Sequence, residues 1–387
     1  MKIMKKNSRR NIEKFSLIFI ILFLILIPAF IFSSENPDNS IFIGLSYPFY
    51  MDNDIEFKLG FQLALDQINA TGGINGRELK VLKVDDKSNV AEGMKAAQYF
   101  VEQEVVAVIG HFNSSVALIT AQIYDNNNTV YIAPCATTPF LMKDSYTKVF
   151  RTIPDDKQVI QNLFDFISNQ GIQHVAVYYA EDDFGRGVAD SAQSVASDYG
   201  IEIIDRTTIV HQNNFHRVMD RWRALDCEAV LIGATFDRVK DQIKAIKQAI
   251  PDILILGTSS LDYPDYIPYL GKSAEGSIIP THYKSLATSQ ANQDFIYTFK
   301  QQFRKEPDMY AAIAYDTLMI LKTALERATR QNENEKMGIT LSETLLDIRR
   351  YSGVTGTVYF NKNGEIEGDN IFLKIVVNGE FIFLDDD

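Results

Sequence analysis

Cysteine is nearly absent: Cys135 and Cys227 are the only two in 387 residues. Two widely separated thiols make no disulfide framework, and the same count excludes a cysteine-built zinc site. They are read as unpaired, with one bond between them as the alternative. Histidine is also scarce. Its five residues are scattered, and His211 and His216 fall at a loop and a helix start, where solvated roles suffice. No H-E-x-x-H, C-x-x-C, G-x-S-x-G or Walker-type phosphate loop occurs. Gly72, Gly73 and Gly76 follow a helical pattern, which is turn chemistry and not a dinucleotide fingerprint. The sequence therefore calls for no metal, no cofactor and no catalytic residue. Long apolar runs are lacking as well, except for Leu17 to Phe32.

That run follows Lys2, Lys5, Lys6, Arg9, Arg10 and Lys14, and only Glu13 opposes them. As a helix it reaches about 24 Å at about 1.5 Å per residue, short of the roughly 30 Å of a bilayer core. Residues 1–34 thus read as a secretory signal, and the leading cations hold that end in the cytoplasm while the body faces outward. Bulky Ile31 and Phe32 stand where cleavage wants small residues, so an uncleaved anchor spanning about residues 15–33 is the alternative. No cysteine nearby offers a lipid-attachment site. Beyond residue 34 the chain holds 32 Lys and Arg (38 less six) against 49 Asp and Glu (50 less one), so positive charge is in deficit. Such a surface repels nucleic acid and anionic lipid. The whole chain is 46% hydrophobic, and the 353 residues beyond this segment form a globular body long enough for two domains.

What is present is alternation. Ile41, Ile43 and Leu45 read as a strand, and Phe57, Phe61, Leu65 and Ile68 as one face of a helix. Strands follow at 79–85, 105–109 and 130–133, with helices at 90–103 and 115–126 between them. The pattern restarts after 151–156, with strands at 174–180, 201–204, 229–233 and 253–256 and helices at 185–197, 215–225 and 237–250. Helices at 292–303, 309–330 and 341–351 come next, around a surface loop at 331–336. A β-rich tail follows, with Asn363-Gly364 and Asn378-Gly379 as hairpin turns. The fold class is α/β, two doubly wound parallel-sheet lobes with helices on both faces.

The acidic groups Asp85-Asp86, Asp155-Asp156 and Glu181-Asp182-Asp183 sit at strand or lobe ends and read as caps and turns. Residues 107–139, holding GHFNSS and APCATTP, say more. Ser114 and Ser115 follow a buried-type strand and open a helix, so hydroxyls and free N–H groups converge where a carboxylate can bind. Cys135 to Thr138 emerge from the next strand at the sheet's carboxyl edge, where open α/β sheets hold ligands. The plain structural alternative is that Ser114 only caps its helix and Thr137 is a loop residue.

The run LGFQLALDQINATGGINGRELKVLKVDD, followed by GHFNSS, IYDNNNTVYIAPCATTP, DDFGRG and AYDTL, resembles the leucine/isoleucine/valine-binding family of type I periplasmic solute-binding proteins, which serve ABC importers. The resemblance extends from about residue 41 to the C-terminus and is densest over 57–155. It implies two lobes on a three-segment hinge: lobe 1 from 41–154 plus 283–352, and lobe 2 from 155–282 plus 353–387. It also implies an amino acid or related carboxylate as ligand, no enzymatic activity, and an ABC permease or membrane receptor as partner. By the same resemblance Ser114 and Thr137 hold the ligand carboxylate, while the Cys135 carbonyl and the Thr137 hydroxyl take an ammonium; Ser115, beside Ser114 at the helix start, is taken with them as ligand-binding. Phe184 and Tyr310 would be aromatic walls, with core packing as the alternative for each. Two positions depart: Ser259 stands where amino-acid binders carry Glu, and Thr235 where they carry Tyr. Asp183, Asp237, Asp262 and Asp316 are candidate substitutes for the missing carboxylate. The loop from Ser46 to Asp54 is unusually aromatic, with Tyr47, Phe49 and Tyr50. A membrane-tethered sensory module is the alternative to an importer's receptor. A small-amide hydrolase would need a base for Ser114, and His111 is the only His or Lys near it in sequence.

Overall fold

The computed structural model describes residues 39–53, 55–209, 212–285, 289–331, 337–368 and 370–384. The expected targeting segment, His211 and most of the expected 331–336 loop lie outside them.

The first sheet is built from β1 (Ile41–Tyr47), β2 (Leu79–Asp85), β3 (Ala107–Gly110), β4 (Val130–Ala133) and β5 (Val149–Arg151) in the order β2-β1-β3-β4-β5. Every pairing in it is parallel. Its connecting helices are α1 (Phe57–Ala70), α2 (Val90–Glu102) and α3 (Ser114–Asn126). β3 and β4 are buried along their whole length, as strands covered on both faces must be. α1 turns Phe57, Phe61, Ala64 and Ile68 inward at helical spacing.

The chain leaves this lobe at Asp155, whose side chain accepts from the Gln158 N–H at 2.7 Å in a capping box that starts α4 (Asp156–Asn169). A second wound unit follows: β6 (His174–Tyr179), α5 (Asp183–Val195), β7 (Glu202–Thr208), α6 (Gln212–Ala224), β8 (Ala229–Gly233), α7 (Phe236–Ala249), β9 (Leu254–Leu256), α8 (Tyr266–Leu270) and β10 (Ile278–Thr281). Its strands run β10-β9-β8-β6-β7, all parallel, which repeats the first sheet's order. The chain then returns to the first lobe as α9 (Gln290–Phe303), α10 (Met309–Gln331) and α11 (Met337–Leu346), with α10 packed along α1.

The tail divides. β11 (Tyr351–Ser352), β12 (Thr357–Phe360) and β13 (Ile366–Gly368) form a small sheet of their own. Val354, Val358, Phe360 and Ile366 join the first lobe's core, with Phe360 edge-on to Phe150 at 5.3 Å. Only β14 (Phe372–Val377) and β15 (Glu380–Phe383) add antiparallel strands to the second sheet. The return to the second lobe, expected at 353, thus comes near 370, because the apolar residues before it are buried against the first core. The Asn363-Gly364 and Asn378-Gly379 turns join antiparallel pairs. Positive φ at both Asn378 and Gly379 fits a two-residue hairpin.

Two strands, β5 and β10, carry no sequence expectation. The helix expected at 341–351 runs from 337 to 346 instead, and Tyr351 is in β11.

Candidate functional site

In both sheets the order reverses beside a central strand, between β1 and β3 in one and β6 and β8 in the other. Loops leaving the carboxyl ends of strands at such a point diverge and open a crevice. The segments after β3, β6 and β8 all line one cavity of about 540 Å³, within the range of small-molecule sites.

At the end of β3, Gly110 has φ +144°, and a Cβ there would lie 2.1 Å from the Ser46 carbonyl oxygen. Only glycine lets β3 leave so close to β1. His111 then turns inward, fully buried. Its Nδ1 shares a hydrogen bond with the Asp86 carboxylate at 2.7 Å and its Nε2 one with the Tyr124 hydroxyl at 3.0 Å, and its backbone N–H donates to the Tyr131 hydroxyl at 2.9 Å. This anchor fixes the following residues, Phe112 to Ser115, on the cavity wall. His111 does not line the cavity, so it supplies Ser114 with no base.

α3 begins at Ser114, with Asn113 as its N-cap and no side-chain cap hydrogen bond. The expected capping role of Ser114 is therefore absent: it is the first helical residue, only 4% exposed, and its hydroxyl meets the cavity without a hydrogen bond to any described residue. The first N–H groups of a helix have no intrahelical acceptor. They carry partial positive charge, and here they open beside two hydroxyls on the cavity wall.

The loop after β4 adds Cys135 and Thr137. Burial, with Asp308 behind it, pushes the Cys135 thiol well up, so it faces the cavity neutral. The Thr137 carbonyl accepts the Asp156 N–H at 2.9 Å, which ties this loop to the start of α4. From α10 come Met309 and Tyr310, whose ring packs on Phe112 at 5.5 Å. Burial raises the Tyr310 phenol well above its ordinary range.

The second lobe contributes the starts of two helices. Asp182 caps α5, accepting the Gly185 N–H at 2.9 Å, and its other oxygen holds Arg238. Phe184, two residues on, lines the cavity. At α7 the N-cap Thr235 makes no side-chain cap bond, and Thr235, Phe236, Asp237 and Arg238 all line the cavity. Ser259, Ser260 and Tyr263 complete this side, with Tyr263 packed on Phe236 at 5.6 Å.

All eight residues singled out as ligand-binding (Ser114, Ser115, Cys135, Thr137, Phe184, Thr235, Ser259 and Tyr310) meet on this one cavity. Of the four candidate substitute carboxylates, only Asp237 lines it. Asp262 holds Lys374, and Asp183 pairs with Arg186. Asp316 accepts from the Val354 N–H, the Thr355 N–H and the Thr355 hydroxyl, so it fixes the turn before β12. Tyr50 and Met51, from the aromatic loop after β1, are on the wall. Phe112, Phe236, Tyr263 and Met309 were missed, because an apolar residue at a helix start or in a loop has no sequence signature separating wall from core. Phe236, one residue after Thr235, puts an aromatic ring on the cavity wall. Cys135 and Cys227 both carry free thiols.

Comparison with known proteins agrees with this architecture. An ABC transporter substrate-binding protein from Desulfitobacterium hafniense, solved in complex with Leu, is 30% identical with a TM-score of 0.79, covering 89% of this chain and 100% of that one. A leucine binding protein from Thermotoga maritima has the same fold, at 22% identity and a TM-score of 0.79 over 89% of this chain and 97% of its own. The Leu/Ile/Val-binding protein homolog 3 of Brucella melitensis is 22% identical over 332 residues, 85% of this chain and 89% of that protein. The family model for periplasmic binding proteins matches residues 41–380, nearly the whole described body, and the chain belongs to that family of solute-binding proteins.

Proposed function

We propose that the chain captures a small carboxylate, an amino acid or a close relative of one, between its two lobes and presents it to an ABC-type importer. The observation that carries the reading is the uncapped start of α3, with Ser114 and Ser115, opening onto the cavity beside the 135–137 loop. A carboxylate laid there accepts from the first-turn N–H groups and the hydroxyls, and the helix dipole favours its charge. Cys135 contributes through its backbone, since its thiol is neutral. Phe184, Thr235, Ser259 and Tyr310 enclose the rest of the ligand from both lobes. The similar protein from Desulfitobacterium hafniense holds Leu, which is of this ligand class.

The role is binding and not turnover. His111 is no base for Ser114, because both its ring nitrogens are spent on Asp86 and Tyr124. Family membership implies an extracytoplasmic setting. Export by residues 1–34, with or without retention as an anchor, fits that setting.

A thermal-shift panel of amino acids, their amides, aliphatic and aromatic acids and neutral sugars tests the reading. A carboxylate at about a hundred times its dissociation constant should add about 2.7 kcal/mol of stability, while its amide should add much less. If only neutral compounds raise the melting temperature, the carboxylate site is misassigned.

A further inference from the structure

Granted the carboxylate site just described, the rest of the cavity specifies what the ligand lacks. The buried wall comprises Ser114, Thr137, Ile153, Phe236, Ser259, Met309 and Tyr310, and none of these carries a charge. Cys135 beside them is a neutral thiol. Among the described residues the carboxylates on the cavity are Asp182 and Asp237, both in the second lobe, with side chains 33% and 58% exposed. Each is already matched. Asp182 divides its oxygens between the Gly185 N–H and Arg238, and Asp237 holds Lys240 at 3.1 Å. Asp308, whose charge bears on Cys135 and Tyr310, does not line the cavity, and its oxygens accept the N–H groups of Glu56 and Ala311.

Among the described residues, an ammonium group entering this wall meets hydroxyls, rings and a thiol, but no unmatched carboxylate. Burying an unpaired ion costs more than ring faces and hydroxyls return. A carboxylate is differently placed: α3 offers its uncapped N–H groups, and the Ser114 and Ser259 hydroxyls, buried and without a hydrogen bond to any described residue, remain to donate. The apolar remainder of a ligand fits between two ring pairs, Phe112 with Tyr310 and Phe236 with Tyr263. We propose that the ligand is an amine-free carboxylate with an aromatic or branched apolar body, the deaminated counterpart of an apolar amino acid.

The test uses matched pairs on the purified chain at neutral pH, with affinities from titration calorimetry: 4-methylpentanoate against leucine, 3-phenylpropanoate against phenylalanine, and 3-(4-hydroxyphenyl)propanoate against tyrosine. In each pair that binds, the acid without the amine should bind at least tenfold more tightly. Ser259→Glu should narrow or reverse that ratio by giving the ammonium a partner. Thr235→Glu, at an exposed position on the same wall, makes the same test should the buried substitution fail to fold. An amino acid binding as tightly as its deaminated partner overturns the inference and leaves the carboxylate site standing. Failure of both members of every pair, with neutral compounds binding instead, overturns the carboxylate site and this inference with it.

Discussion

At the scale of single residues, the hydroxyl of Ser114 and the carboxyl of Asp156 make separable predictions. Ser114→Ala deletes one hydrogen bond to a charged ligand group, worth about 1.5–3 kcal/mol, or roughly 10- to 150-fold in affinity. Because Asn113 holds the cap position and the Ser114 hydroxyl caps nothing, the ligand-free melting temperature should barely move. Calorimetry and melting on the same variant check both halves. A large stability loss with unchanged affinity would return Ser114 to a structural role. Asp156 is buried where α4 leaves the hinge, and its Oδ2 has no partner among the described residues. Burial pushes its carboxyl from 3.8 up to about 7, opposed by the Thr137 hydroxyl and Arg151. Between those values the unfolded chain has lost this proton and the folded chain keeps it, so stability falls as pH rises from about 4 to about 7 and levels off above. Asp308, raised to about 6, acts in the same direction. Asp156→Asn should remove on the order of a few kcal/mol of that fall, measured by denaturant unfolding at pH 5 and pH 8. Equal pH dependence in parent and variant would show that Asp156 ionises normally in the fold. The site was legible in the sequence where hydroxyls followed a buried strand, as at Ser114 and Ser115. It was illegible at Phe236 and Tyr263, whose rings belong to core and wall together.

Among the elements, the contact of α1 with α10 is the tightest constraint on the first lobe. A Cβ at Gly60 would come within 2.0 Å of the Ala311 carbonyl oxygen, so the two helices touch backbone to backbone. Met309 and Tyr310, at the start of α10, lie on the cavity wall, and the pairing of α1 with α10 therefore positions part of the site. Gly60→Ala should cost roughly 1–3 kcal/mol by overpacking and also weaken ligand binding by displacing Tyr310. Melting and affinity measured together check this; a fully stable variant would mean that the helices separate without penalty. The elements legible in the sequence are those with a local pattern to read, such as the unbroken apolar runs at 130–133 and 229–233 and the helical spacing on the face of α1. The tail's strands and its two Asn-Gly hairpins were legible, but its division between the lobes was not, because Asp316, 35 residues before Tyr351, is what fixes the turn at Val354 and Thr355. No local pattern encodes that partner.

For the whole molecule, the chain passes between the two sheets after β5, after β10 and again between β13 and β14. The cavity takes its wall from both sides of those crossings. Two lobes joined by a few connecting segments can rotate about them without disturbing either core. A ligand that touches Ser114 on one side and Phe184 on the other gains contacts only when the lobes approach, so it must favour the closer arrangement. Small-angle scattering of the purified protein, with and without a saturating ligand taken from the thermal-shift panel, measures this directly. The account predicts a smaller radius of gyration with ligand, and loss of that change in a Ser114→Ala Phe184→Ala variant at the same ligand concentration. An unchanged radius at proven saturation would contradict capture between the lobes.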